Sequence, residues 1–160
     1  MNFLSFGGIV TSISDFNIMS SDAGCFKLMA VDDGRGSSVN FVVEPDTYFV
    51  DHAMVRVGDR VTGFYDADAP VPLIYPPQYR ALVMAIDSPS RNVKVAFFNE
   101  GLVSSDGQLK LNLSPSTHLL LENGQAFTRS PANRNLIVVY GASTRSIPAQ
   151  TTPFQIIVMC

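Results

Sequence analysis

The period of the apolar residues constrains this chain more than any other feature. Over residues 38–44, Val39, Phe41 and Val43 alternate with Asn40, Val42 and Glu44, which is the pattern of a half-buried strand. Val93, Val95 and Phe97 alternate with Lys94 and Ala96, and Leu109, Leu111 and Leu113 with Lys110 and Asn112. Nowhere do apolar residues recur at helical spacing over the length a stable helix needs. The expectation is an all-β chain.

Further strands are expected over 6–14, 25–31, 60–65, 79–86, 135–140 and 154–160, with 47–50 strand or irregular. Gly7-Gly8 lies early in the first of these, where glycine marks a bulge or a sharp coil. Turns are expected at Asp32-Asp33-Gly34-Arg35-Gly36, at Gly58-Asp59, over 104–108 and at Asn123-Gly124, because these residues supply positive φ or cap their own backbone. Residues 15–24 read as a loop.

Hydrophobic residues make up 46% of the 160-residue chain and charged residues 16%, a balance that excludes disorder and suits a large buried core. The net charge of −3 is unevenly spread. Up to Ile86 there are ten Asp and Glu against five Lys and Arg, giving −5; beyond it, four against six give +2. An acidic balance disfavours nucleic acid as a partner, since that binding rests on Lys and Arg displacing counterions. Cys25 and Cys160 are too few for a disulfide framework and too isolated for zinc; both sit in apolar runs and are expected as buried thiols. No apolar run is long enough to span a membrane and no secretory leader is evident, so the cytoplasm is the default expectation.

The two halves echo one another. An offset of 75 residues puts Tyr65 on Tyr140, Tyr79 on Phe154, Leu82 on Ile157 and Met84 on Met159, and an offset of 70 puts Pro45 on Pro115 and Thr47 on Thr117. The expected organisation is two β-barrel units in tandem, 1–88 with a long loop between its fourth and fifth strands, and 89–160, less complete. The last strand of each is apolar on both faces: Tyr79, Ala81, Val83 and Ala85 oppose Leu82, Met84 and Ile86, while Phe154, Ile156 and Val158 oppose Ile157 and Met159. Strands apolar on both faces must be covered on both. The expectation is that the units pack together through them, or that the chain meets a protein partner or another copy of itself through apolar β surface.

Five or so strands, a glycine-broken first strand and an interruption between strands three and four resemble the OB-fold, a small Greek-key barrel. The layout departs from that fold where a helix should separate strands three and four, because P-D-T-Y-F-V-D-H is short and β-prone. The string G-F-Y-D-A-x-A-P-x-P-L-I-Y-P-P-Q-Y over 63–79 is similar to that of an uncharacterised bacterial family, and brings no activity with it. The OB-like resemblance implies a ligand surface on strands two and three flanked by the loop between strands four and five. On this chain it points to Lys27, Asn40 and Val42, and to Tyr65, Asp66, Tyr75, Gln78, Tyr79 and Arg80. Tyrosines could stack on sugars or bases while Gln, Asp and Arg bond their edges, and Pro70, Pro72, Pro76 and Pro77 would stiffen the loop. Packing of the loop onto protein explains the same residues.

Other candidates are weaker. Asp66-Ala67-Asp68 lacks the remaining ligands of a calcium loop, His52 and His118 are single, and Gly34-Arg35-Gly36 is a lone turn element. The basic loop 129–134 has no assigned role. Without an organised nucleophile the sequence is read as non-enzymatic, with no cofactor and no metal. The leading expectation is an interaction or structural module; the alternative is a domain binding oligosaccharide or single-stranded nucleic acid on the 65–80 loop.

Overall fold

A computed structural model describes residues 1–16 and 20–160. The chain is all-β, and it divides into two compact units, Met1–Asp87 and Ser88–Cys160.

The first unit contains β1 (Phe3–Asp15), β2 (Lys27–Asp32), β3 (Ser38–Val43), β4 (Tyr48–Phe49), β5 (Arg60–Asp66), β6 (Gln78–Arg80) and β7 (Val83–Ile86), in the sheet order β4-β7-β5-β1-β2-β3-β6. The long β1 changes partner midway. Residues from Phe3 to Ile9 pair with β5, those from Ile9 to Asp15 pair with β2, and the register shifts between Val10 and Ser12. A Cβ on Gly8 would lie 2.2 Å from the carbonyl oxygen of Asp32. Only glycine lets the two backbones come this close. The expected alternation in β3 places Val39, Phe41 and Val43 in a core with Val10, Met29, Val31, Val61, Ala81 and Met84. In the β2–β3 connection, Asp32 and Asp33 accept the backbone N–H groups of Gly34 and Arg35, each at 2.7 Å, which fixes the turn.

The run 79–86 is not one strand. It breaks at Ala81-Leu82, where the N–H of Ala81 donates to Val42 and that of Leu82 to Phe64, so the segment leaves β3 on one side and joins β5 on the other. Residues 47–50 form the two-residue β4 and enter a 3-10 turn, Val50–His52. The Thr47 hydroxyl donates to the Ala81 carbonyl at 2.8 Å and accepts from the Glu44 N–H at 2.9 Å.

The second unit contains β8 (Asn92–Phe98), β9 (Leu109–Leu111), β10 (His118–Leu121), β11 (Arg134–Tyr140), β12 (Ala149–Thr151) and β13 (Gln155–Met159), as a sheet β10-β13-β11-β8 and a parallel pair β12-β9. Its core holds Ala96, Phe98, Leu109, Leu111, Leu136, Val138, Ile156 and Val158. Its pairings follow those of the first unit. Antiparallel β8·β11 and β11·β13 match β1·β5 and β5·β7, and parallel β10·β13 and β9·β12 match β4·β7 and β3·β6. The Thr117 hydroxyl donates to the Pro153 carbonyl at 2.8 Å, as Thr47 does to Ala81.

These registers correct the expected alignment of the last strands. Phe64 pairs with Val83 and Val139 with Gln155, so β5 and β11 keep the offset of 75 while β7 and β13 stand 72 apart. Tyr79 therefore corresponds to Thr151, and Leu82, not Tyr79, to Phe154. The cause is loop length: eleven residues separate β5 from β6, and eight separate β11 from β12.

Two further expectations are corrected. Cys25 and Cys160 are exposed, because Cys25 sits in a turn closed by its N–H on Asp22 before β2 begins at Lys27, and Cys160 follows the end of β13. The last strands are not covered throughout. Val83, Met84, Ala85, Ile156, Ile157 and Val158 are buried, yet Ile86 and Phe154 are 38% and 50% exposed. The expected loop 15–24 includes residues 17–19, which lie outside the described residues.

Candidate functional site

In the first unit the sequence-predicted residues gather where β6 leaves the loop that follows β5. A cavity of about 300 Å³ is lined by Asp66, Gln78, Tyr79 and Arg80 together with Val42, Glu44 and Leu82, and is closed by Phe16 and the segment from Ala69 to Pro72. Its volume is at the small end for a ligand pocket. The parallel register of β3 with β6 sets Val42 opposite Arg80 and brings these two lining residues together, whereas Asn40, opposite Gln78, does not line the cavity.

Tyr65 and Tyr79 are stacked, ring centroids 3.9 Å apart and planes within 3°. Burial, and then the adjoining Tyr79, push the Tyr65 phenol above its ordinary range. Each ring therefore already has one face occupied by the other. Arg80 is held by two carboxylates, Glu44 at 3.1 Å from Nε and Asp46 at 3.1 Å from a terminal nitrogen. Asp66 is a turn residue: its carboxylate accepts the N–H groups of Asn2 at 3.1 Å and Asp68 at 3.0 Å, and these bonds hold its pKa below the usual carboxylate range.

Four of the expected residues, Lys27, Asn40, Tyr65 and Tyr75, do not line this cavity. The Lys27 ammonium is paired with Asp15, and Tyr75 points elsewhere. With Val71, Leu73, Ile74 and Pro77, Tyr75 borders a shallow depression of about 470 Å³ that shares Gln78 and Tyr79 with the first cavity. Here the loop exposes its apolar residues: Leu73 is fully exposed, Tyr75 76% and Ile74 53%. Sequence reasoning singled out Tyr75 in this stretch and missed Val71, Leu73 and Ile74. An apolar run between prolines with no polar alternation was the signal that could have found them.

Elsewhere, His52 and His118 are both exposed, and Arg134 of the basic loop lies over the Phe127 ring at 4.8 Å. Among the described residues no group of three His, Cys, Asp or Glu is placed to hold a metal ion, and no helix is long and apolar enough to cross a membrane. No family model, no curated protein and no solved structure matches the chain.

Proposed function

We propose that this protein is a non-enzymatic interaction module that meets a protein partner, or a second copy of itself, through the loop 69–77. The observation that carries this reading is the consecutive exposure of Leu73, Ile74 and Tyr75 between Pro72 and Pro76. Leaving large apolar side chains in water is unfavourable by about 25 cal/mol per Å², and contiguous exposed apolar residues mark contact surfaces. Prolines on both sides restrict the backbone and reduce the entropy lost on docking.

The same proposal reads each unit as a small OB-like barrel and the pair as copies of one duplicated unit. The matched pairings and the Thr47 and Thr117 hydroxyl bonds support it. A β-solenoid of stacked coils is the competing architecture, favoured by four parallel pairs, β3·β6, β4·β7, β9·β12 and β10·β13. The other six ladders, antiparallel, favour barrels, because stacked coils pair in parallel.

A photo-reactive residue in place of Leu73 tests the interaction reading in the cell. The expected result is one defined adduct, absent when the same residue replaces Ser146 in the second unit. Identical adduct patterns at both positions would remove it. The second reading, oligosaccharide or single-stranded nucleic acid on the Tyr65 to Arg80 stretch, draws on the exposed Tyr75 ring and on Gln78; Tyr75→Ala should then abolish binding and leave the melting temperature unchanged.

A further inference from the structure

The second unit has its own cleft, placed as the cavity of the first unit is. It is an open depression of about 690 Å³ bordered by β9, β12 and the loop after β11. In the registers above, Asn112 stands where Val42 does, Gln150 where Gln78 does, and Phe154 where Leu82 does. The chemistry is different. None of its lining residues carries a charge, whereas Glu44, Asp66 and Arg80 line the other.

The cleft combines an aromatic platform with a polar ledge. Phe154 is 50% exposed, and its ring lies on Gly141: a Cβ there would stand 2.8 Å from Cζ and 3.2 Å from Cε2. Glycine thus lets one part of the ring rest on backbone while the remainder faces the cleft. Beside it the Asn112 amide nitrogen donates to Gln150 Oε1 at 3.3 Å. This bond orients both amides, and it leaves Asn112 Oδ1 as an acceptor and Gln150 Nε2 as a donor. Ser143 and Thr152 add hydroxyls at the rim.

We infer that this cleft is a binding site for an uncharged carbohydrate. A pyranose ring has an apolar C–H face that stacks on an aromatic ring, as amphipathic groups do. Its neighbouring hydroxyls both donate and accept, and so match an adjacent amide donor and acceptor. A phosphate or carboxylate ligand would find no cation in the lining, and an apolar ligand would strip water from the two amides without replacing its hydrogen bonds. The site is distinct from the loop 69–77 and does not depend on its role.

The test is a titration of the full-length, ¹⁵N-labelled chain with maltohexaose, cellohexaose and xylohexaose, with trigalacturonic acid as the charged comparator. At least one neutral sugar should give saturable shifts at residues 141–144 and 150–154 and at the Asn112 side-chain amide, and the acid should give none there. Phe154→Ala should weaken binding about tenfold, the size of one good stacking contact. Gly141→Ala should weaken it by displacing the ring. If Phe154→Ala does not fold, Gln150→Ala decides, since that side chain is exposed and its loss should still weaken binding. No saturable shift with any of the three sugars, shifts centred on Tyr75 to Arg80, stronger binding of the acid, or affinity indifferent to these substitutions would overturn the assignment.

Discussion

The two units share a pairing plan and differ in what they build on it. Where the first presents an acidic, tyrosine-bearing cavity beside an eleven-residue loop, the second presents a neutral cleft beside an eight-residue one. The ladders depend on backbone bonds and on a few buried positions, which the two units have in common. The outer residues of β6 and β12 have no core to fill, so nothing in the pairing holds them to one charge or size.

The comparison can be broken most directly at Gly8. By register its counterpart is Ala96, since Gly8 pairs with Val61 and Ala96 with Leu136. Gly8→Ala forces a methyl against the Asp32 carbonyl and should destabilise the protein by about 3 kcal/mol, as overpacking against backbone does. Ala96→Gly should cost only about 1–2 kcal/mol, from one buried methyl and added chain entropy. Chemical denaturation measures both; equal effects would contradict the close approach of Gly8 to Asp32 as the source of the difference.

The threonine bonds sharpen the comparison at a smaller scale. Thr47→Val strands both the Ala81 carbonyl and the Glu44 N–H, and should cost about 2 kcal/mol, whereas Thr117→Val strands the Pro153 carbonyl and should cost about 1 kcal/mol. Amide exchange, read separately on β7 and β13, should show each loss in its own unit. A Thr117 effect larger than that of Thr47 would contradict the accounting.

Acid titration gives the smallest difference. Burial pushes the Asp106 carboxyl up, but bonds from Lys94, Ser104 and the Gln108 N–H outweigh it and leave the pKa lowered. Asp66 is lowered mainly by the backbone N–H groups of Asn2 and Asp68, with a smaller contribution from the positive charge at Met1. For a depressed folded pKa the stabilisation is present above the unfolded value of about 3.9 and is lost as pH falls through the folded one. Asp106→Asn should therefore flatten the acid limb of the stability profile by less than about 1 kcal/mol, because the Asp106 side chain is itself half exposed and its pairing with Lys94 is screened by water. Asp66→Asn should flatten it less. A stability profile unchanged between pH 2 and 5 (about the carboxylate window) in Asp106→Asn relative to wild type would contradict this.

How much of this was legible in the sequence depends on whether a residue's role is local. Val39, Phe41 and Val43 declare their inward face by alternation, and Asp32 and Asp33 declare their turn by chemistry that acts within a few residues. The echo of Thr47 in Thr117 was visible because both serve the same bond. By contrast, the match of Tyr79 with Phe154 came from two unequal loops that happened to realign aromatic residues. Register between distant strands is not written in either strand alone. Of the cavity, Asp66, Gln78, Tyr79 and Arg80 were found together, whereas Glu44 and Phe16 come from segments that only the pairing of β3 with β6 and β1 with β2 brings near. Phe154 was read as covered because strand periodicity says which face a side chain takes and nothing about what lies over that face.

The partner exchange within β1 also bears on how the first unit acquires its structure. Phe3 meets Asp66 and Asp15 meets Lys27, so one ribbon closes both a short circuit and one that encloses most of the unit. The near end can zip as soon as its hairpin exists, while the far end must wait for residues synthesised much later, and the entropy of that larger closure sets a slow step. Until then the amino-terminal stretch is an unsatisfied edge, open to any β-strand that reaches it first.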